Sequence, residues 1–212
     1  MFLKTIAALF LSAITSSCII PAKEPAAAFI TMHGDPAFTT QEREAISHAS
    51  HTWRLQTGGQ AEIRVIYDMD PLVHALEPTI VRANTNDPVI QAEDCEIQGL
   101  PPEDFAGYCQ PSLLGYVSPS GGMHNPWNLP YKMVLIPERY ESHERFVSVT
   151  LHEMGHLFGI PHQESVQSVM FYAQLEEPKT CLRQADLKAF CNNNVCDDRE
   201  MFPCETNKGF RL

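Results

Sequence analysis

Residues 152–162 read HEMGHLFGIPH, and this segment holds three histidines and a glutamate at a spacing that one metal ion can use. The first two histidines are four residues apart, so on a helix their imidazoles lie one turn apart on the same face. If the helix continued, His162 would point away from that face. Gly159 permits a positive φ, and Pro161 cannot continue a helix. The sequence therefore predicts a turn that brings His162 back to the same ion.

The residue types in this segment indicate zinc chemistry. Three neutral imidazoles, those of His152, His156 and His162, would leave one tetrahedral catalytic Zn²⁺ with its fourth position open to water. The ion lowers the pKa of that water from about 15.7 to near 7. Glu153 stands next to the first ligand and can take the proton of the water, then pass it to a leaving amine. The segment predicts hydrolysis of peptide bonds by metal-activated water, with Glu153 as the general base.

The spacing HExxHxxGxxH resembles the signature of the metzincin clan of zinc metallopeptidases, in which a methionine-containing turn follows the third histidine. Residues 168–172 read SVMFY and supply that second element. They are similar to the Met-turn of astacins and serralysins more than to the matrixin form. The residue after the third histidine is Gln163, which matches none of the main families. A matrixin-like, an astacin-like and a serralysin-like subfamily all stay open.

The Met-turn resemblance assigns a role to Tyr172. In astacins and serralysins the tyrosine two residues after the methionine is an additional zinc ligand that can donate a proton to the oxyanion. By position this residue is Tyr172, which would assist Glu153 in catalysis. The alternative is an aromatic ring that packs under the site or beside the substrate pocket. Met170 would lie beneath the metal, a position that overlaps with ordinary core packing.

The resemblance also implies an α+β fold: a twisted, mostly parallel sheet, with two long helices above the substrate cleft. A smaller, irregular C-terminal subdomain with one helix would follow. Residue patterns agree, since Thr39 and Glu42 form a capping-box pattern ahead of a helix that stops at Gly58. Residues 32–35, MHGD, are interpreted as a turn rather than as an astacin-type aspartate switch. Alternation and turn residues predict strands at 61–67, 79–82, 115–117 and 133–136, and a last helix at 182–190.

The N-terminus predicts export. Lys4, the apolar run at 6–14 and the small residues after it are typical of a signal peptide at residues 1–17, and the run is too short to span a bilayer. Cys18 then resembles the lipidated cysteine of a bacterial lipobox. We expect anchoring to the bacterial cell envelope, with plain secretion after cleavage near Cys18 as the alternative. Residues 18–28 would be a tether and residues 29–212 the catalytic domain, with an upper subdomain to about 159 and a lower one at 160–212.

Cysteine content agrees with export. The chain has seven cysteines, and assigning Cys18 to a lipid leaves an even number for disulfides. Proximity favours a Cys95–Cys109 pair and some combination among Cys181, Cys191, Cys196 and Cys204. A cysteine-ligated structural zinc is the competing interpretation, with weak support from the spacing.

Charge and length limit the class of partner. The 212 residues carry 15 basic and 26 acidic side chains, a net charge of −11 that argues against nucleic acid or anionic lipid surfaces. A hydrophobic content of 44% suits one globular domain, which we expect to be a monomer acting on polypeptide substrates. The alternative function is a lipid-anchored binding or adhesion protein that keeps a structural, non-catalytic zinc. Retention of Glu153 favours the enzyme.

Overall fold

A computed structural model describes residues 28–68, 70, 77–97, 114–119, 131–171 and 177–204. The predicted signal peptide, Cys18 and the tether up to residue 27 lie outside this part of the chain, and so do Tyr172 and Cys109. What the sequence predicts for those residues stays a prediction.

A five-stranded sheet forms the centre of the fold, in the order β2-β1-β3-β5-β4. β1 pairs in parallel with β2 and β3, and β3 pairs in parallel with β5. β4 runs antiparallel to β5, its one partner among the described strands, and so forms an edge of the sheet. The strands are β1 (Ala28–Gly34), β2 (Ala61–Ile66), β3 (Thr79–Arg82), β4 (Gly115–Pro119) and β5 (Tyr131–Leu135).

Four α-helices accompany the sheet in the described residues, and a 3₁₀ turn at Pro137–Arg139 follows β5. The helices are α1 (Thr40–Gln56), α2 (Pro88–Ile97), α3 (His143–Leu157) and α4 (Gln184–Asn193). α1 begins with the predicted capping box: Thr39 Oγ1 accepts from the Glu42 amide at 3.3 Å, and the Glu42 carboxylate accepts from the Thr39 amide at 2.7 Å. The predicted α+β class, with a mostly parallel sheet and two long helices, is confirmed.

Helices α1 and α3 pack together around Trp53, which is fully buried. Its indole nitrogen donates to the Leu151 carbonyl of α3 at 3.1 Å. The ring also lies edge-on to Phe158, with centroids 5.1 Å apart, and tilts against Phe190 of α4 at 6.1 Å. Burial of these large rings is a major source of stability. It holds α3, the helix that bears the histidines, in a fixed place against α1.

Two elements were not predicted, and one interpretation was wrong. The segment MHGD was taken as a turn, but its first three residues end β1, and the turn begins only at Pro36. Gly34 pairs with Ile80 in the sheet, and a Cβ there would stand 2.7 Å from the Tyr67 ring and 2.8 Å from Val65 Cγ1. This glycine allows close packing, which a sequence cannot distinguish from a turn.

The unpredicted elements are β1 and α2. The last helix begins two residues later than expected, after Arg183.

The C-terminal segment is tied back to the end of α1. Disulfides join Cys181 to Cys204 and Cys191 to Cys196, which confirms pairing among these four cysteines. The buried Gln56 side chain donates to the Phe202 carbonyl at 2.8 Å and accepts from the Leu182 amide at 2.7 Å. The disulfides are typical of an exported protein. No helix within the described ranges is long and apolar enough to cross a bilayer.

Candidate metal centre

The three histidines of the HEMGHLFGIPH segment converge on one point. His152 and His156 lie in α3, and His162 lies beyond its end. Their Nε2 atoms form a nearly equilateral triangle, with separations of 3.1 Å between His152 and His156 and 3.2 Å from each of these to His162. Among the described residues this is the one cluster of His, Cys, Asp or Glu side chains that could hold a metal ion.

The turn after α3 returns His162 to the pair of histidines in the helix. Gly159 has a φ of 76°, and its amide donates to the His156 carbonyl at 2.9 Å. The Ile160 amide donates to the Gly155 carbonyl at 3.0 Å. These two hydrogen bonds form a Schellman motif, in which the residue after the helix takes the left-handed conformation. A Cβ at Gly159 would meet nothing within 4 Å, so the backbone conformation alone requires glycine there.

Backbone carbonyls orient two of the imidazoles. The Nδ1 atom of His152 lies 2.7 Å from the Val169 carbonyl oxygen, and that of His156 lies 2.9 Å from the Ile160 oxygen. Since a carbonyl can only accept, each Nδ1 carries the proton, and each Nε2 keeps its lone pair. Hydrogen bonds of this kind fix both the tautomer and the ring orientation of metal-binding histidines.

Burial keeps these imidazoles neutral. It lowers the pKa of His152 to about 4, and the neighbouring His156 acts in the same direction. Burial also lowers the pKa of His156. At neutral pH both rings are therefore uncharged, with a free lone pair on Nε2, which is the form that binds a metal.

The geometry of the three nitrogens fits zinc. Tetrahedral bonds of about 2.0 to 2.1 Å place ligand nitrogens about 3.3 to 3.4 Å apart. The observed separations of 3.1 and 3.2 Å are close to that value. Lone pairs on three converging nitrogens repel one another unless a cation lies between them. The donor set and its spacing therefore suit one zinc ion.

Glu153 lies beside this cluster, packed against the start of β4. Its side chain is buried, and burial raises the pKa of the carboxyl to about 8. A divalent cation nearby would oppose that effect by favouring the carboxylate. The Glu153 Cγ lies 3.4 Å from the place that a Cβ would take on Gly115, the first residue of β4. Glycine at this position lets the edge strand approach the acid closely.

The Met-turn packs directly beneath α3. Met170 is fully buried, and a Cβ on Gly155 would overlap the Met170 sulfur and lie 2.9 Å from its Cε. The turn is also joined to the segment after the third histidine, because the Gln163 amide donates to the Met170 carbonyl at 2.7 Å. Met170 thus packs against the helix that carries His152 and His156, and its place beneath a metal ion stays a prediction. Tyr172 lies outside the described residues.

A buried carboxylate that sequence reasoning missed holds the Met-turn in place. The Ser168 hydroxyl donates to Asp186 Oδ1, and the amides of Val169 and Arg183 donate to Oδ2 at 3.4 and 2.7 Å. The Val169 carbonyl in turn accepts from His152. Asp186 therefore fixes the peptide that orients a metal ligand. Its sequence signal is only an acidic residue in the first turn of α4, which is ordinary helix capping.

The variant Asp186→Asn tests this link. An amide nitrogen replaces one acceptor oxygen, so at least one of the donors around it loses its partner and the His152 orientation loosens. We expect the affinity for zinc to fall by about 10 to 100-fold, the usual effect of removing an outer-shell partner. Competition with a chromogenic chelator measures it, at a temperature where circular dichroism shows a folded protein. Asp198→Asn, on an exposed carboxylate, is the matched control. Equal affinities in the two variants would contradict the link.

Comparison with known proteins identifies the family. The sequence model of the matrixin family matches residues 22–192, a range that contains the three histidines, Glu153, every described strand and nearly all of α4. A search of the curated proteins finds no match. The matrixin match decides among the subfamilies that Gln163 left open, although SVMFY looks more like the astacin form of the turn. Three histidines with zinc-like spacing and a family match over most of the chain agree: the chain belongs to the matrixin family of metzincin-clan metallopeptidases.

Proposed function

We propose that the protein is a zinc-dependent endopeptidase that hydrolyses peptide bonds of polypeptide substrates, with Glu153 as the general base. The observation that supports it most is the convergence of three histidine Nε2 atoms, with the buried Glu153 directly after the first of these histidines in α3. His152, His156 and His162 would hold one zinc ion. When bound, zinc supplies a Lewis acid that lowers the pKa of a water molecule and stabilises negative charge on the scissile carbonyl oxygen.

Glu153 would carry the proton during the reaction. It takes a proton from the attacking water and delivers it to the nitrogen of the leaving amine, so no covalent bond to the enzyme forms. Burial gives this carboxyl a higher proton affinity than an exposed glutamate has. A bound cation would lower that pKa and favour the carboxylate, which is the form that accepts the proton from water.

The edge strand β4 offers a place for the substrate. Strand addition, in which an extended peptide pairs with an exposed edge, needs a strand with a free side. β4 has one partner among the described strands, and its first residue packs against Glu153. A peptide paired with β4 would therefore pass close to the general base.

The competing function is a lipid-anchored binding protein in which zinc is only structural. Such a site needs the three histidines but gains nothing from Glu153. Burying a carboxyl group lowers stability, and the rise in the pKa of Glu153 is a sign of that penalty. A carboxyl group that stays buried despite this cost favours a catalytic role for Glu153.

We also propose that the protein is exported and anchored through a lipid on Cys18, as the leader sequence and the disulfides suggest. Mass spectrometry of the N-terminal peptide from bacterial membranes should give the mass of a diacylated or triacylated cysteine. Cys18→Ser should leave the chain unacylated. An unmodified N-terminus at any other residue would support plain secretion instead. Electrostatic binding to anionic membranes is not expected from this acidic chain.

The variant Glu153→Gln tests the general base. It keeps the shape and the zinc ligands but removes the proton acceptor, so kcat should fall by about 10² to 10⁴-fold. Initial rates on denatured casein measure the loss, and elemental analysis should still find one zinc per chain. Glu164→Gln, an exposed glutamate two residues after the third histidine, is the matched control and should keep full activity.

A chelator should abolish the activity of the parent, and zinc should restore it. Equal rates in all these samples would remove the enzyme hypothesis.

The variant Tyr172→Phe decides between the two roles of that residue. If the hydroxyl donates to the developing oxyanion, kcat should fall by about 10² to 10³-fold with little change in KM. If the ring only packs, phenylalanine replaces it well, and kcat stays within about two-fold. Tyr67→Phe serves as the control, because Tyr67 follows β2 at the opposite side of the sheet from β4. We expect the larger effect, and an unchanged kcat would assign Tyr172 to packing.

A further inference from the structure

The carbonyl oxygen of Leu114, the residue just before β4, accepts two hydrogen bonds. The Tyr140 hydroxyl donates to it at 2.6 Å, and the Ile136 amide donates at 3.2 Å. Tyr140 lies between the 3₁₀ turn and the start of α3, so its bond to Leu114 spans 26 residues of sequence. The start of the edge strand is thus held by a side chain from the segment that leads into the histidine-bearing helix.

Tyr140 is itself firmly placed. Its ring stacks on Phe146 of α3, with centroids 4.7 Å apart and an angle of 15° between the planes. Burial raises the pKa of the Tyr140 hydroxyl. A hydrogen bond to the Ile136 backbone lowers it by less, and the nearby Glu153 carboxylate raises it further. The Tyr140 hydroxyl therefore keeps its proton at neutral pH and can donate it to the Leu114 carbonyl oxygen.

The position of β4 matters because the strand lies directly against the general base. A Cβ on Gly115 would stand 3.0 Å from the Val134 oxygen and 3.4 Å from Glu153 Cγ. The backbone at Gly115 therefore has little free space on this side. A small shift of the strand start would change both its contact with Glu153 and the place of any peptide paired with its outer edge.

We propose that Tyr140 is a positioning residue for substrate binding. Its hydroxyl fixes the first peptide group of β4, so that an extended peptide pairs with the strand in register with Glu153. This inference rests on the proposed function of the site. β4 has β5 as its one strand partner in the described sheet, and a strand held on one side frays at its ends unless another contact secures it. The Tyr140 hydroxyl supplies such a contact at Leu114, in addition to the hydrogen bond from the Ile136 amide.

The variant Tyr140→Phe removes the hydroxyl but keeps the ring that stacks on Phe146. The Leu114 oxygen keeps its bond from the Ile136 amide, so the fold should persist with a melting temperature close to that of the parent. Two effects should appear. Hydrogen exchange over residues 114–119 should speed up about five-fold, the typical effect of losing one net hydrogen bond, and peptide binding should weaken by a similar factor.

Binding is measured without turnover, in proteins that carry Glu153→Gln. The probe is the fluorescein-labelled, oxidised B chain of insulin, an unfolded peptide, and fluorescence anisotropy gives its Kd. The Kd should rise about five-fold in the Tyr140→Phe protein. Tyr67→Phe in the same background is the matched control and should leave both Kd and exchange unchanged. Hydrolysis of the same peptide by the parent enzyme is followed separately.

These measurements separate the inference from the proposed function. An unchanged exchange rate at 114–119, an unchanged Kd, or no binding of the B chain to the Glu153→Gln protein would overturn the role of Tyr140. Faster exchange in α1 and α3 as well, with a lower melting temperature, would indicate a general structural role and would also overturn it. A parent that binds the B chain but does not cleave it would refute the endopeptidase activity and leave the positioning role intact.

Discussion

The metal centre depends on one helix ending, the left-handed turn at Gly159. Without this turn His162 would point away from the other two histidines, because the helical period carries it around the axis. The same turn places the Ile160 carbonyl against His156 Nδ1, 2.9 Å away, so it also orients the second ligand. Two of the three ligands are thus fixed by hydrogen bonds and dihedral angles within a few residues of Gly159. The third ligand, His152, depends on a distant part of the chain.

His152 is held through the Met-turn, and the Met-turn is held by α4. The link runs from the Asp186 carboxylate through the Ser168–Val169 peptide to the imidazole, and every polar group in it is buried. The C-terminal segment that carries α4 is secured in turn by two disulfides and by Gln56 of α1. The C-terminal segment therefore contributes to the candidate metal centre as well as to the core. Through the Val169 carbonyl it orients the imidazole of His152 in α3.

Sequence reasoning succeeded where the physics is local. The capping box at Thr39, the turn at Gly159 and the alternation of β2 each depend on residues a few positions apart, and each appeared as predicted. It failed where contacts between distant residues decide. Gly34 was taken for a turn residue, but it pairs with Ile80 in the sheet, and its lack of a Cβ leaves room for the Tyr67 ring. Asp186 has only the sequence signal of an acidic residue in the first turn of a helix, and the Tyr140–Leu114 bond has no local signature at all. The sequence could therefore indicate that the three histidines converge, whereas the groups that position them could not be predicted.

The site combines features that each oppose folding in the absence of a metal. Three imidazole lone pairs converge within 3.2 Å of one another, and a carboxyl group is buried with its pKa raised to about 8. A cation among the nitrogens would relieve the repulsion between lone pairs and would also favour the charged form of Glu153. Metal binding would therefore be coupled to folding, since a ligand that binds only the folded state stabilises it. The rigid surroundings, the Trp53 core, the Asp186 link and the disulfides, allow the chain to hold this arrangement before the ion arrives. A preformed site of this kind loses little conformational entropy on binding, which favours a high affinity for zinc.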